Sequence, residues 1–179
     1  MDLKHTVIPQ ELLSFLPKGI LYLHKHGREF LVVEEVTCPN GHSLIVDSVK
    51  IHGEPSIKID VRIAEQEGSF FIDAFWGSHS KLYNFIPELP KKDPVIEAYC
   101  PKCGENLIVE RECTIPECST KRHILLTLPD RENFIYVCAR LGCPGHYLDV
   151  KKASKNISQR ISEINYFGAQ YDDDIFSGI

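Results

Sequence analysis

Seven cysteines carry most of the chemistry open to this 179-residue chain, and six of them fall between Tyr99 and His146. They come in close pairs: Cys100-Pro-Lys-Cys103-Gly, Cys113 with Cys118, and Cys138 with Cys143, the last followed by Pro-Gly-His146. Two thiolates separated by two to four residues can grip one metal ion while the backbone turns around it. The Pro and Gly of the first pair suit such a turn. The expected cofactor is zinc, one or two ions per chain, with iron in a four-thiolate site as the alternative that ligand type leaves open. A zinc ion held by four thiolates has no position for water and serves stability instead of catalysis. In a segment this small it supplies on the order of 10 kcal/mol of apparent folding free energy.

The pairs combine in two ways. Cys100 and Cys103 can meet Cys138 and Cys143 across the 34 residues that separate them, leaving Cys113 and Cys118 to join His123 or His146 in a second, mixed site. Alternatively, Cys100, Cys103, Cys113 and Cys118 form one compact site, and Cys138, Cys143 and His146 take a fourth ligand from elsewhere. The first pairing uses the hairpin described below and is preferred. The seventh cysteine stands in Cys38-Pro-Asn-Gly-His42, which resembles the first knuckle of C-x3-H zinc fingers over five residues and makes Cys38 and His42 further candidate ligands. A plain Pro-Asn-Gly turn is the other reading.

The run Cys-Pro-x-Cys-Gly, then an aromatic strand leading into a second cysteine pair, resembles the four-cysteine ribbons at the C-termini of type I topoisomerases. The likeness covers residues 100–143 at most. It implies a zinc ribbon built on Cys100, Cys103, Cys138 and Cys143, and a nucleic-acid role. The extra Cys113/Cys118 pair and the Gly145-His146 ending depart from that pattern and weaken the transfer of that role.

These residues need strands to bring them together. Ile57, Ile59, Val61 and Ile63 alternate with polar or charged residues, the period of a half-buried strand. A hairpin to Phe70–Phe75 is expected, with its turn at Glu67-Gly68. A second hairpin joins His123–Leu128 to Asn133–Val137 across Pro129-Asp-Arg-Glu, and a third joins Ile20–Leu23 to Phe30–Val33 with Gly27 at its turn. His24 and His26 beside that turn are spaced for one strand face, but exposed turn histidines are the plainer reading. Short helices are expected over 9–16 and from Ser154, where Ile157, Ile161 and Ile164 form one stripe. The fold expected is mainly β (α+β), with two small hairpin-based units, the second a zinc ribbon. A β-rich unit spans 1–86, a Pro-rich linker 87–94, the ribbon 95–150, and a helix with an acidic tail 151–179.

The units look related. Cys38-Pro precedes Phe71-Ile72 by 33 positions, and Cys100-Pro precedes Phe134-Ile135 by 34. On this frame Phe75 and Ser80 stand where the second unit has Cys138 and Cys143, with aromatic packing in place of metal and His79 as a substitute ligand.

The composition is that of a water-soluble globular chain, 43% hydrophobic and 25% charged. No apolar run approaches the ~20 residues of a membrane span. The Met1-Asp-Leu-Lys-His5 start lacks the features of a secretory signal, so a cytoplasmic, reducing setting is expected, where thiols bind metal. Within a net charge of −5, residues 100–160 carry +3 and the rest −8, without the Lys/Arg cluster of a nucleic-acid footprint. The leading functional expectation is a non-catalytic interaction module with a protein partner. The alternatives are a nucleic-acid-binding ribbon using Tyr136, Tyr147, Arg140, Lys151 and Lys152, and a zinc or thiol-redox enzyme. His52-Gly-Glu54 matches half of a zinc-deaminase signature, but the Pro of Cys100-Pro-Lys-Cys103 lies inside the pair instead of before it. Gly-rich phosphate loops and nucleophile elbows are absent from the sequence.

Overall fold

A computed structural model describes residues 7–25, 27–78, 80–88 and 94–164. His26, His79, most of the linker and the acidic tail lie outside the described residues. The chain is mainly β, and its described residues form three small sheets and two short helices. A short helix α1 (Gln10–Leu13) precedes a hairpin of β1 (Ile20–Lys25) and β2 (Arg28–Val33), which turns at Gly27 as its sequence implies. A meander follows: β3 (Ile45–Ile51), β4 (Glu54–Ile63), β5 (Gln66–Ile72) and β6 (Lys81–Tyr83). A short β7 (Glu97–Tyr99) leads to a second meander: β8 (Ile108–Glu110), β9 (Arg122–Thr127), β10 (Phe134–Cys138) and β11 (His146–Asp149). Helix α2 (Lys155–Ser162) closes the described chain. Among the described residues no helix is long and apolar enough to cross a membrane.

The alternation in β4 does what its pattern requires, burying Ile57, Ile59, Val61 and Ile63. The hairpin it makes with β5 turns at Ala64-Glu65, however, and not at Glu67-Gly68. Gly68 lies within β5 opposite Val61, because a Cβ there would come within 2.2 Å of the Phe85 ring. Glycine serves close packing here, not turning.

The two meanders share one plan. Strands run in the order β3-β4-β5-β6 and β8-β9-β10-β11. Leu44 and Leu107 occupy equivalent places: each carbonyl accepts from the second strand, at Lys58 N and Leu125 N respectively. Past the third strand the correspondence is residue by residue. Asp73 N donates to Ser80 O as Cys138 N donates to Gly145 O, and Ser78 N donates to Phe75 O as Cys143 N donates to Arg140 O. The hairpin turns differ in length, two residues after Ile63 against four after Leu128, although each holds one non-glycine residue in the left-handed region, Ala64 (φ 53°) and Arg131 (φ 61°).

The meanders also exchange strands. Thr37, just before the first knuckle, pairs with Thr127 of β9, and Tyr99, just before the second, pairs with Asp60 of β4. Each unit lends its pre-knuckle residues to the other's second strand. Such reciprocity describes an approximate twofold relation inside one chain. One buried core cluster draws on both meanders, including Ile57, Ile59, Phe70 and Trp76 from the first and Ile124, Leu126, Ile135 and Leu148 from the second. At about 1.5–3 kcal/mol per fully buried large apolar side chain, this shared core joins the units firmly.

Among the described residues helix α2 has no counterpart after β6. Ser154 caps it by accepting from Ile157 N, and Ile161 is buried. Trp76 Nε1 donates to Ile161 O at 3.1 Å, a second bond to a carbonyl near the helix end that also accepts from Ile164 N.

Candidate metal centres

The ligand candidates sort into two sets of four, and in each set the ligand atoms lie within 4.8 Å of one another. The first set is Cys38, His42, Cys100 and Cys103; the second is Cys113, Cys118, Cys138 and Cys143. Either set could hold a metal ion. Tetrahedral coordination with metal–sulfur bonds of 2.3 Å puts its sulfurs about 3.8 Å apart and a sulfur–nitrogen pair about 3.6 Å apart. The measured separations agree: Cys38–Cys103 3.9 Å, Cys113–Cys143 3.7 Å, Cys118–Cys138 3.8 Å, and Cys38 Sγ–His42 Nδ1 3.5 Å. All seven cysteines are free thiols.

The first set straddles the approximate twofold. Each half contributes one knuckle built in the same way: Cys38 N donates to His42 O and Gly41 N to Cys38 O, while Cys100 N donates to Glu105 O and Gly104 N to Cys100 O. Gly41 (φ 86°), just before His42, and Gly104 (φ 72°), just after Cys103, supply the left-handed residue of each knuckle turn. The strand exchange places the two knuckles face to face. The preferred pairing of Cys100 and Cys103 with Cys138 and Cys143 is therefore not the one found, and neither is the Cys100–Cys118 alternative. The partner of the Cys100 knuckle is Cys38 and His42.

The second set is internal to the second meander. Cys138 ends β10, Cys143 follows in the turn to β11, and Cys113 and Cys118 come from the β8–β9 connection. Cys118, Cys138 and Cys143 are buried. Burial pushes the Cys143 thiol up to about 11 and that of Cys138 higher still. Burial also opposes ionisation of Cys118, but hydrogen bonds from Thr120 and Arg140 bring it down to about 6. In the first set, exposed Cys103 is brought down to about 6, chiefly by the Asn40 amide and then by the backbone at Glu105. A metal ion would take the place of the protons that the buried thiols otherwise retain, so binding would release protons.

His123 and His146 belong to neither set. Buried His123 donates from Nδ1 to Arg111 O at 2.9 Å. His146 donates to Pro144 O at 2.9 Å and sets its ring edge-on to Trp76 at 4.8 Å. Both are structural histidines whose pKa burial lowers. A histidine held neutral favours the folded state above its ordinary value of 6.5. That contribution fades as pH falls from there toward the lower folded value, because the unfolded chain takes up the proton first. The stability advantage of the native protein over a His123→Gln variant is therefore expected to shrink on going from pH 7.5 to about 5.5. Paired urea titrations isolate this effect, since acid loss of metal is common to both proteins.

In the first meander the place of the second set is taken by His52, Asp73 and Ser78. Asp73 and Ser78 stand 65 positions before Cys138 and Cys143, with the matching backbone bonds given above. The residues equivalent to Cys138 and Cys143 are thus Asp73 and Ser78, not Phe75 and Ser80; the expected frame is off by two, which keeps the same strand face. Asp73 has a side chain with 0% exposure, its Oδ2 2.6 Å from His52 Nδ1 and 2.5 Å from the donating Ser78 Oγ, and its Oδ1 accepts from Phe75 N. Burial raises its pKa against the pull of these partners. Hydrogen bonds do here what coordination would do in the other half. Asp73→Ala removes the buried acceptor of three polar groups at once, and a loss of about 3 kcal/mol in urea unfolding is expected, with metal content unchanged.

No known protein family, curated protein or solved structure matches this chain. Its function must be argued from the sites themselves.

Proposed function

We propose that this chain is a non-catalytic interaction module held together by two structural zinc ions, presenting its β surface to a protein partner. The observation that carries this reading is that both sets are complete. Each offers four protein ligands at tetrahedral spacing, all cysteine in one and three cysteines with a histidine in the other. These are standard compositions of saturated structural zinc, which leaves no position for an activated water.

The nucleic-acid reading is less well supported. Tyr136 and Tyr147 are cross-strand neighbours on the second sheet, but Arg111 already lies over both rings, at 4.4 and 4.3 Å from their centroids. The aromatic platform on which a base would stack is occupied. Exposed apolar side chains, among them Leu82, Ile86 and Val95, favour a protein contact instead.

Elemental analysis of protein purified without added metal is expected to give two zinc ions per chain. The cobalt-substituted protein should show four-coordinate spectra that stay unchanged on adding azide or cyanide at levels that leave the metal bound. A spectral shift on adding those ions would reveal an open coordination position and favour the enzyme reading.

A further inference from the structure

The two centres differ in their access to water. In the Cys113–Cys143 set, three cysteines are buried, Arg140 donates to Cys118, and the Lys81 side chain lies close enough to Cys138 and Cys143 to act on their charge. Sealing and nearby positive charge both lower the nucleophilicity of a metal-bound thiolate. In the set shared between the halves, Cys38 and Cys100 are buried but Cys103 and His42 are exposed. The neutral Asn40 amide donates to Cys103 Sγ, 3.5 Å away. A groove lined by Tyr99, Cys100, Gly104 and Arg62 opens beside this centre.

We infer that Cys103 is a site of reversible oxidation by hydroperoxides, with Cys38 as its resolving thiol, and that this reaction discharges metal from the shared centre alone. The inference rests on reading both sets as zinc centres. In the first step the Cys103 thiolate attacks the outer peroxide oxygen and the O–O bond breaks. The sulfur is oxidised to a sulfenic acid, and the leaving oxygen is reduced and takes up a proton from solvent, departing as water from hydrogen peroxide or as an alcohol from an organic hydroperoxide. Cys38 Sγ, 3.9 Å away, then attacks the Cys103 sulfur. The S–O bond breaks, hydroxide leaves, and a disulfide forms. The two thiolates together lose two electrons, both accepted by the peroxide. Zinc keeps only Cys100 and His42 and departs.

The product replaces one tie between the halves by another, since Cys38 belongs to the first half and Cys103 to the second. The shared core and the Thr37–Thr127 and Tyr99–Asp60 pairings do not depend on the ion, so the fold survives the exchange. A thiol reductant with added zinc reverses it.

The test begins with zinc content before any oxidant, because a chain without two zinc ions refutes the zinc reading and not the redox step. Hydrogen peroxide is then added in the presence of a chromogenic zinc chelator. The expected result is release of one zinc per chain, retention of the β circular dichroism spectrum, a Cys38–Cys103 disulfide in the peptide map, and recovery with dithiothreitol and zinc. Cys103→His keeps a fourth ligand without an oxidisable sulfur. It should hold two zinc ions and slow peroxide-driven release at least tenfold. Release of both ions together, release from the Cys113–Cys143 set first, a Cys100–Cys103 linkage, or native release rates in Cys103→His would each overturn the inference.

Discussion

Cys118→Ala is expected to cost the protein one metal ion and the ordered structure of its second sheet. The residues packed around that centre are Cys113, Cys118, Cys138, Cys143 and Ile115, so little apolar surface remains there without the ion. Four sulfurs within 4.8 Å of one another, two of the pairs at 3.7 and 3.8 Å, are tolerable as thiolates only around a cation. Without it they must stay protonated or move apart, and a three-sulfur remnant binds zinc far more weakly. The apparent stabilisation at risk is on the order of 10 kcal/mol, comparable to the usual total stability of a folded domain. Elemental analysis should show one zinc in place of two, and circular dichroism should show loss of strand signal at ordinary temperature. Cys103→Ala is expected to lose one zinc as well, yet to keep its sheets, because its centre lies at the rim and both meanders share a core beneath it.

Gly145→Ala should reproduce the loss of that ion without touching a ligand. A Cβ at position 145 would lie 2.7 Å from Cys113 Sγ, 3.2 Å from Cys138 Cβ and 3.4 Å from Cys143 Sγ. The strain here is purely steric: the added methyl group occupies the space into which four sulfurs must converge. Because Gly145 N also donates to Cys143 Sγ at 3.4 Å, moving the backbone away to relieve the clash would lengthen that bond too. The expected outcome is a drop from two zinc ions to one and a fall in thermal midpoint of 10 °C or more, several kcal/mol for a chain of this size. The equivalent residue in the other half, Ser80, already carries a Cβ, and no sulfurs meet there. Ser80→Ala therefore serves as the control that should leave metal content and midpoint nearly unchanged.

Much of the architecture was legible because it rests on local pattern. Period-two alternation marks β4, and the Ser154 cap with its isoleucine stripe marks α2. Cysteine spacing, with the Cys38-Pro-Asn-Gly-His42 run, placed every residue of the two sets among the candidates, together with His123 and His146, which belong to neither. It did not show which knuckles meet, because that depends on the reciprocal strand exchange. Thr37 and Thr127 are 90 residues apart, and neither has a side chain that advertises the other. The short strands β6, β7 and β8 were also silent, being three residues each and set by pairing more than by composition. The internal repeat was visible but read two residues out of frame, because Phe-Ile occurs in both halves at positions that are not equivalent. A better anchor was present in Asp73-Ala-Phe-Trp-Gly-Ser78 against Cys138-Ala-Arg-Leu-Gly-Cys143, where Ala and Gly match and Gly77 and Gly142 adopt nearly the same φ, 81° and 80°.

The knuckle shared between the halves also bears on ancestry. Either half alone supplies two ligands to that ion, whereas tetrahedral coordination asks for four. A free-standing half would have to meet a second copy of itself to complete the site, and the reciprocal strand exchange is the contact such a pair would make. The chain thus has the form of a tethered dimer. Covalent linkage lets its halves differ, and they do: one has a private set of four cysteines, and the other has His52, Asp73 and Ser78 in that place.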